Sequence, residues 1–388
     1  MIQKVSFRNY KAYRSLELEL EPFTVLVGPN ASGKTTLLDG LHLMSRVVAK
    51  YSGLSPLMLE EQPELRSYGV SLPLELGVEG VWDGKQGSAR ISGTPDSEPS
   101  PTGSLRYWKF MVDGRWNVES VDVLSGHGRA EQYEVVSEDN PFRRALTSIW
   151  VLRLESRRLA APSYSEAEIP SMDSDGSGLA SVLAHLKLSD DEAFSNILDA
   201  LRQIVPAVRR IRIERAAVEQ TALRTISLDE QQHVVSDKRT FWGNKVILDM
   251  KGAKGVPADA AGEGTIMALG LLTVLLGPRK PRLLLLDDIE LGLHPVAQGK
   301  LIELLRKIQQ SDPELQIIAT SHSPFILNYL DPKEVRMTFL AENGFARCEK
   351  LTAHPEFERW KDLMSPGEFW STVGESWLEK VGETPAHE

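Results

Sequence analysis

The chain has 388 residues, 41% of them hydrophobic, enough for one large domain or two of ordinary size. A formal charge of -10 excludes a surface that is basic throughout, although one basic face fits within an acidic total. The single cysteine, Cys348, excludes an internal disulfide framework and a cysteine-only zinc site, no apolar run approaches the roughly eighteen residues of a transmembrane helix, and "MIQKVSFRNY" lacks the apolar core of a signal peptide. The expected location is the cytoplasm, with no membrane partner.

In chain order, residues 1–30 read as three strands: "IQKVSFRNY", the alternating "SLELEL", and "FTVLVG", which is apolar without alternation, as in a central strand covered on both faces. A helix is expected from Lys34 to Lys50, with Leu37, Leu38, Leu41, Met44, Val47 and Val48 on one stripe. From about Ser71 to Val123 short strands separated by turn residues suggest antiparallel β structure inserted into an α/β domain, interrupted by "SGTPDSEPSPTGS", a mobile loop by composition. A second flexible loop is expected at 162–178, ahead of the helical "LASVLAHLKLSDDEAFSNILDALRQIV".

Strands return in "VRRIRIER", "TISLDE" and "NKVILDM". Then come a helix in "GTIMALGLLTVLL", a strand in "LLLLDD", a helix in "VAQGKLIELLRKIQQ" and a buried strand in "LQIIAT". Strand and helix alternate at both chain ends, so both ends are expected in one mixed sheet of an α/β fold. The expected division is one domain from 1–60 and 245–350, an inserted β-rich and helical region at 61–244, and a helical tail at 351–388.

"GPNASGKTT", Gly28 to Thr36, matches G-x-x-x-x-G-K-[ST] and lies between a predicted strand and a predicted helix, as a P-loop must. Gly28 and Gly33 let the backbone curl so that, after Pro29, the N–H groups of Asn30, Ala31, Ser32 and the residues on to Thr36 converge on phosphate oxygens at the positive end of a helix. Lys34 is expected to reach the β- and γ-phosphates of ATP, and the Thr35 hydroxyl to ligate Mg²⁺. "LLLLDDIELGLHP" ends a buried strand in carboxylates, which need a cation nearby. With a P-loop upstream, Asp287 is the expected second Mg²⁺ residue.

Four stretches in this order, "VSFRNYKAYRSLELEL" leading into "VLVGPNASGKTTLLDGL", then "GEGTIMALGLL", "LLLLDDIELGLHP" and "IIATSHSPFIL", resemble the ABC-type ATPase heads of the RecF, SMC and OLD (overcoming lysogenization defect) kind. The likeness covers roughly 1–50 and 255–330, and "DGSGLASVLAHL" resembles the stand-alone OLD-like branch. It implies that Gly262 and Gly264 of "GEGT" touch the γ-phosphate of an ATP on a second subunit, with Gly262 where serine is usual. His322 falls where the switch histidine contacts the γ-phosphate, and His294 near the subunit interface. Asp288 stands where a glutamate positions the attacking water. One methylene shorter, it falls short by roughly 1 to 1.5 Å, enough to cost about 10²-fold in rate. Glu290 would compensate only if the turn brings it inward.

The absence of heptads and of a zinc-hook C-x-x-C separates the chain from coiled-coil SMC types, and Gln62 alone could stand for the glutamine loop of transporters. After "TSHSP" no D-x-D pair of a TOPRIM nuclease follows. The resemblance therefore implies a slow ATPase that dimerises, or assembles further, through ATP and controls a separately encoded effector, TOPRIM-like nuclease chemistry included, in anti-phage defence. The alternatives are a RecF-like DNA-binding ATPase and a scaffold that holds ATP with little turnover. Trp370 and Trp377 are expected on one stripe of a C-terminal helix, and Arg210 and Arg212 on the outward face of their strand, with nucleic-acid phosphate as the alternative to solvent.

Overall fold

The computed structural model describes residues 1–50, 67, 74–82, 84–95, 105–112, 119–122, 141–228 and 231–380. Its strands are β1 (Ile2–Tyr10), β2 (Tyr13–Glu19), β3 (Phe23–Val27), β4 (Leu74–Trp82), β5 (Lys85–Pro95), β6 (Leu105–Val112), β7 (Glu119–Asp122), β8 (Ile149–Leu152), β9 (Val208–Leu228), β10 (Gln231–Met250), β11 (Ala253–Pro257), β12 (Leu283–Leu286), β13 (Gln316–Ser321), β14 (Val335–Leu340) and β15 (Ala346–Lys350). The helices are α1 (Lys34–Lys50), α2 (Pro141–Thr147), α3 (Ser156–Ala160), α4 (Leu179–Ser189), α5 (Asp191–Ile204), α6 (Glu263–Leu276), α7 (Pro295–Ser311), α8 (Pro324–Leu327), α9 (Phe357–Trp360) and α10 (Pro366–Val373). Two compact units result: Met1–Val151 with Pro281–Glu290 and Leu305–Glu388, and Leu152–Lys280 with Leu291–Leu304.

In the first unit the fully apolar strands pair with one another. β13 runs parallel to both β12 and β3, and the sheet order is β15-β14-β3-β13-β12-β8. Every residue of β3, β12 and β13 is buried, because helices and a second sheet leave neither face to water. The two chain ends thus share one sheet, as their alternation of strand and helix suggests. The alternating strands β1 and β2 form a hairpin instead, and β4 pairs with β1 from Ile2↔Gly80 to Arg8↔Glu75. The antiparallel strands after α1 therefore extend the N-terminal hairpin's own sheet, in the order β2-β1-β4-β5-β6-β7.

Leu37, Leu38, Leu41 and Met44 on α1 are fully buried in one cluster with Phe7, Tyr10, Leu26, Leu76, Leu285 and Ile318. At about 1.5–3 kcal/mol for each such side chain, this contact fixes α1, and with it the loop that precedes it, against the sheet. A Cβ on Gly40 would lie 2.5 Å from the Phe7 ring, so the close approach depends on glycine there. Residues 96–104 of the expected mobile loop and Gln62 lie outside the described residues, whereas Ser92–Pro95 complete β5.

The second unit corrects two expectations. Instead of three separate strands, β9 and β10 form one hairpin paired from Gln231↔Leu228 to Asp249↔Arg210. The polar stretches between the apolar segments hide its length, since a ladder needs only backbone partners. Residues 162–178 are irregular but pinned. Ser163 exchanges backbone hydrogen bonds with Asn244 at 2.9 and 2.8 Å, its Oγ meets Ser181 Oγ at 2.8 Å, Tyr164 stacks on Phe241 and Met172 is buried. Arg209, Arg210 and Arg215 are exposed, while Arg212 lies 3.6 Å from both Glu214 and Asp249, an ionic strand face.

A third correction falls in the C-terminal region. Gly374, at φ +62, ends α10, and Trp377 lies in a separate 3₁₀ turn at Ser376–Lys380. Trp370 and Trp377 therefore share no helical stripe, because a glycine at φ 62 and ψ -158 has left the helical region, a backbone state open to glycine. Trp377 meets the His354 ring edge-on at 5.0 Å, and Trp370 Nε1 donates to Glu375. Among the described residues no helix is long and apolar enough to cross a membrane.

Candidate nucleotide site

The pairing of β12, β13 and β3 brings three strand ends together, and the expected site residues of the first unit follow those ends. The loop after β3 is curled by positive φ at Gly28 (+149°), Ala31 (+60°) and Gly33 (+98°). Pro29, Asn30, Ala31 and Thr35 are exposed, Thr36 is half-buried, and Ser32 and Lys34 are buried beneath them. Thr338 of β14 donates to Val27 O at 3.0 Å, which leaves Ser32 Oγ to donate to Thr338 Oγ1 at 2.6 Å. A Cβ on Gly28 would lie 2.1 Å from Thr338 O, a backbone atom that cannot step aside. Gly28→Ala should therefore lose about 1–3 kcal/mol of stability together with nucleotide affinity, read by thermal unfolding and a binding titration; unchanged values in both would show that the loop tolerates the Cβ.

The Lys34 ammonium donates to Gly28 O at 2.8 Å and Pro29 O at 2.7 Å, so it lies curled within the loop. Burial lowers its pKa from the usual lysine value, while Asp288, Asp287, Glu290 and Glu375 push it back up. Thr35 Oγ1 lies 3.4 Å from Asp287 Oδ2 and 3.5 Å from Oδ1, a pair of hard oxygens suited to Mg²⁺. Among the described residues no group of three His, Cys, Asp or Glu side chains could hold a metal.

The end of β13 grips the acids one by one. Thr320 Oγ1 donates to Asp287 Oδ1 at 2.6 Å and accepts from Asp288 N at 2.8 Å, and Thr320 O accepts from Ile289 N at 2.9 Å. Ser321 Oγ donates to Glu290 Oε1 at 2.7 Å, and the His322 backbone N–H donates to the same oxygen. Glu290 Oε2 is buried and meets no hydrogen-bond partner among the described residues. The turn thus carries Glu290 inward, the condition under which it could stand in for the usual glutamate. Ile289 is fully buried and seats the turn.

Asp288 differs in every respect. Its backbone is left-handed at φ +56, its side chain is 68% exposed, and Oδ1 lies 3.7 Å from His322 Nε2. Surrounding protein first, and the like charges of Asp287 and Glu290 second, raise its carboxyl above the usual range, with His322 and Lys34 opposing; solvent at so exposed a group screens this push.

Gly262 and Gly264 lie in the second unit. Gly262 caps α6 at φ -58 and ψ 135 with open space around it, and a Cβ on Gly264 would meet Leu293 Cδ2 at 2.8 Å and Gly292 O at 3.0 Å. His294, in the same unit, is exposed and accepts from Val296 N through Nδ1 at 3.4 Å. Sequence reasoning passed over Thr320, Ser321, Thr338 and Glu375. The adjacent hydroxyls of "TSH" were a signal for the first two; nothing local pointed to the others, which come from distant strands or turns.

A phosphate loop at the end of a parallel strand, with acids and a histidine on neighbouring strand ends, defines a P-loop ATPase of the ABC type. Solved structures share the fold: an SMC head bound to the C-winged helix domain of ScpA has a TM-score of 0.56 at 14% identity over 90% of this chain and 97% of that one. A Pyrococcus furiosus Smc head with an extended coiled coil gives 0.50 at 13% identity, over 93% and 98%. The profile described as "AAA domain, putative AbiEii toxin, Type IV TA system" matches residues 122–328, more than half of the chain, and one described as "AAA ATPase domain" matches 1–80. The chain belongs to this AAA family and is an ATPase. It is 23% identical to the OLD nuclease of Thermus scotoductus over 84% of its own length and 59% of the relative's, and 20% identical to the "Retron Ec83 probable ATPase" of Escherichia coli over 88% and 72%. The chain thus spans less than two thirds of the OLD nuclease. A 53-residue stretch is 38% identical to RecF of Roseiflexus castenholzii, over 13% of this chain.

Proposed function

We propose that the chain dimerises around two ATP molecules, each held by the P-loop of one subunit and by Gly262 and Gly264 of the other, and that this nucleotide state controls a separately encoded effector, a nuclease, in anti-phage defence. The convergence of Lys34, Thr35, Asp287, Glu290 and His322 in one unit carries the reading. Its likeness to an OLD nuclease and a retron ATPase supports the link to an effector. Lys34 would neutralise the β- and γ-phosphates as the loop amides orient them. Thr35 and Asp287 would hold Mg²⁺, which supplies charge neutralisation on the phosphates when bound. His322, whose Nε2 lies 3.7 Å from Asp288 Oδ1, would donate to the γ-phosphate. Hydrolysis is slow in this reading, since no glutamate occupies position 288. The second reading, a DNA-binding ATPase, is favoured by the RecF-like stretch and the exposed Arg209, Arg210 and Arg215.

The dimer is tested by solution mass. Wild type should double in mass with Mg-ATP, and Gly262→Trp should stay monomeric while still binding ATP. A Cβ added at Gly262 meets nothing closer than Thr265 Oγ1 at 3.8 Å, so the fold should survive, which thermal unfolding of the variant checks. A wild-type monomer at saturating ATP would sink the dimer, and salt-sensitive DNA binding by the chain alone would favour the second reading.

A further inference from the structure

We infer that Ser321 is a positioning residue for hydrolysis: it locks Glu290 so that Glu290, two positions beyond the usual one, orients the attacking water. The inference rests on the nucleotide-site reading above and goes beyond it by assigning the water to one acid and that acid's geometry to one hydroxyl.

A flexible carboxylate contributes little to a reaction unless its rotamer is held close to the productive position. Ser321 supplies that hold. Its Oγ accepts from the Ser323 backbone N–H at 3.0 Å, which occupies a lone pair and leaves the hydroxyl hydrogen for Glu290 Oε1, 2.7 Å away. The His322 N–H donates to the same oxygen. Both donors are parts of β13 or the residue that follows it, and β13 is buried throughout and paired with β3 as far as Ser321↔Val27, the last residue before the phosphate loop. The acid is thus registered against the loop through a rigid strand rather than through a loop of its own.

The distribution of donors then separates the two oxygens of Glu290. Oε1 has two protein donors, whereas Oε2 is buried with no protein donor among the described residues. A buried carboxylate oxygen without a donor is costly, and a water O–H is the group that would satisfy it. Asp288 offers no such arrangement. It is exposed, its backbone N–H is held at a positive φ by Thr320, and His322 Nε2 lies 3.7 Å from its Oδ1. In hydrolysis the water oxygen bonds to the γ-phosphorus while the bond from that phosphorus to the β–γ bridging oxygen breaks. The bonding pair leaves with ADP, and the proton lost by the water passes to Glu290 Oε2. Ser321 remains a donor to Oε1 throughout and acts only through Glu290.

The test is a double-mutant cycle of Ser321→Ala and Glu290→Gln, with kcat and KM for ATP, the Kd of ATP and the ATP-dependent mass measured for each. Ser321→Ala should lower kcat about 10- to 100-fold while ATP affinity stays within about twofold, because the hydroxyl is engaged with Glu290 Oε1 and the Ser323 N–H. In the Glu290→Gln background the same change should lower kcat no further. A general structural role would lower kcat by the same factor in both backgrounds, and that result overturns the inference. So does wild-type kcat in Ser321→Ala. Should Ser321→Ala fail to fold, Ser321→Cys, close in size and a weaker donor, takes its place in the cycle with the same two readings. Loss of ATP binding or of the mass change in the wild type would instead remove the underlying nucleotide-site reading, so the two failures are separable.

Discussion

Lys34→Ala is expected to weaken ATP binding by about a hundredfold or more and to bring hydrolysis to background. Lys34 is the buried cation of the loop, and it now satisfies its donors with Gly28 O and Pro29 O at 2.8 and 2.7 Å. Those carbonyls can release it to phosphate with small movements, whereas alanine leaves neither the charge nor the donors. Charge-assisted hydrogen bonds contribute about 1.5–3 kcal/mol each, so two lost contacts to phosphate account for a change of this order. The folded state itself should change little, because the ammonium's burial opposes its charge and alanine removes that desolvation. A binding titration, steady-state hydrolysis and thermal unfolding together check this. On the proposed role in defence, the same variant should lose phage protection in cells that also carry the effector; full protection by Lys34→Ala would count against that role.

Glu290→Gln should retain ATP and the ATP-bound dimer while lowering kcat about 10²- to 10⁴-fold, the range for removing a group that takes a proton in the reaction. Glutamine keeps the shape, and its amide oxygen still accepts from Ser321 and from the His322 N–H. What it loses is the basic Oε2. The contrast is Asp288→Glu. Lengthening Asp288 places a longer side chain at φ +56, where aspartate is better tolerated than glutamate, so about 1 kcal/mol of stability should be lost without a gain in turnover. A gain in turnover by Asp288→Glu, alongside an active Glu290→Gln, would return the water to position 288. Chemical quench after a single turnover separates ATP held from ADP formed in each variant.

Much of the nucleotide site was legible because its parts are local. Gly28 and Gly33 bend one loop, Lys34 begins the next helix, and β3 and α1 flank them; each depends on dihedrals and periodicity within about twenty residues. The runs "LLLL" and "LQIIAT" read as buried strands for the same reason, and their parallel pairing follows from the alternation of strand and helix. The hairpin at 208–250 and the anchored loop at 162–178 were less legible. Their order comes from backbone partners such as Asn244 for Ser163, which leave no periodic trace in the sequence.

The sequence by itself determined the ATPase class, the phosphate loop and the presence of three acids after a buried strand. Only the tertiary structure decided which acid turns inward. The register of β12 on β13, Leu286↔Ala319, sets Thr320 opposite Asp287, and the next two residues then reach Glu290. That assignment depends on hydrogen bonds between residues more than thirty positions apart, which the pairing of the strands brings together, and no spacing within "DDIE" carries it.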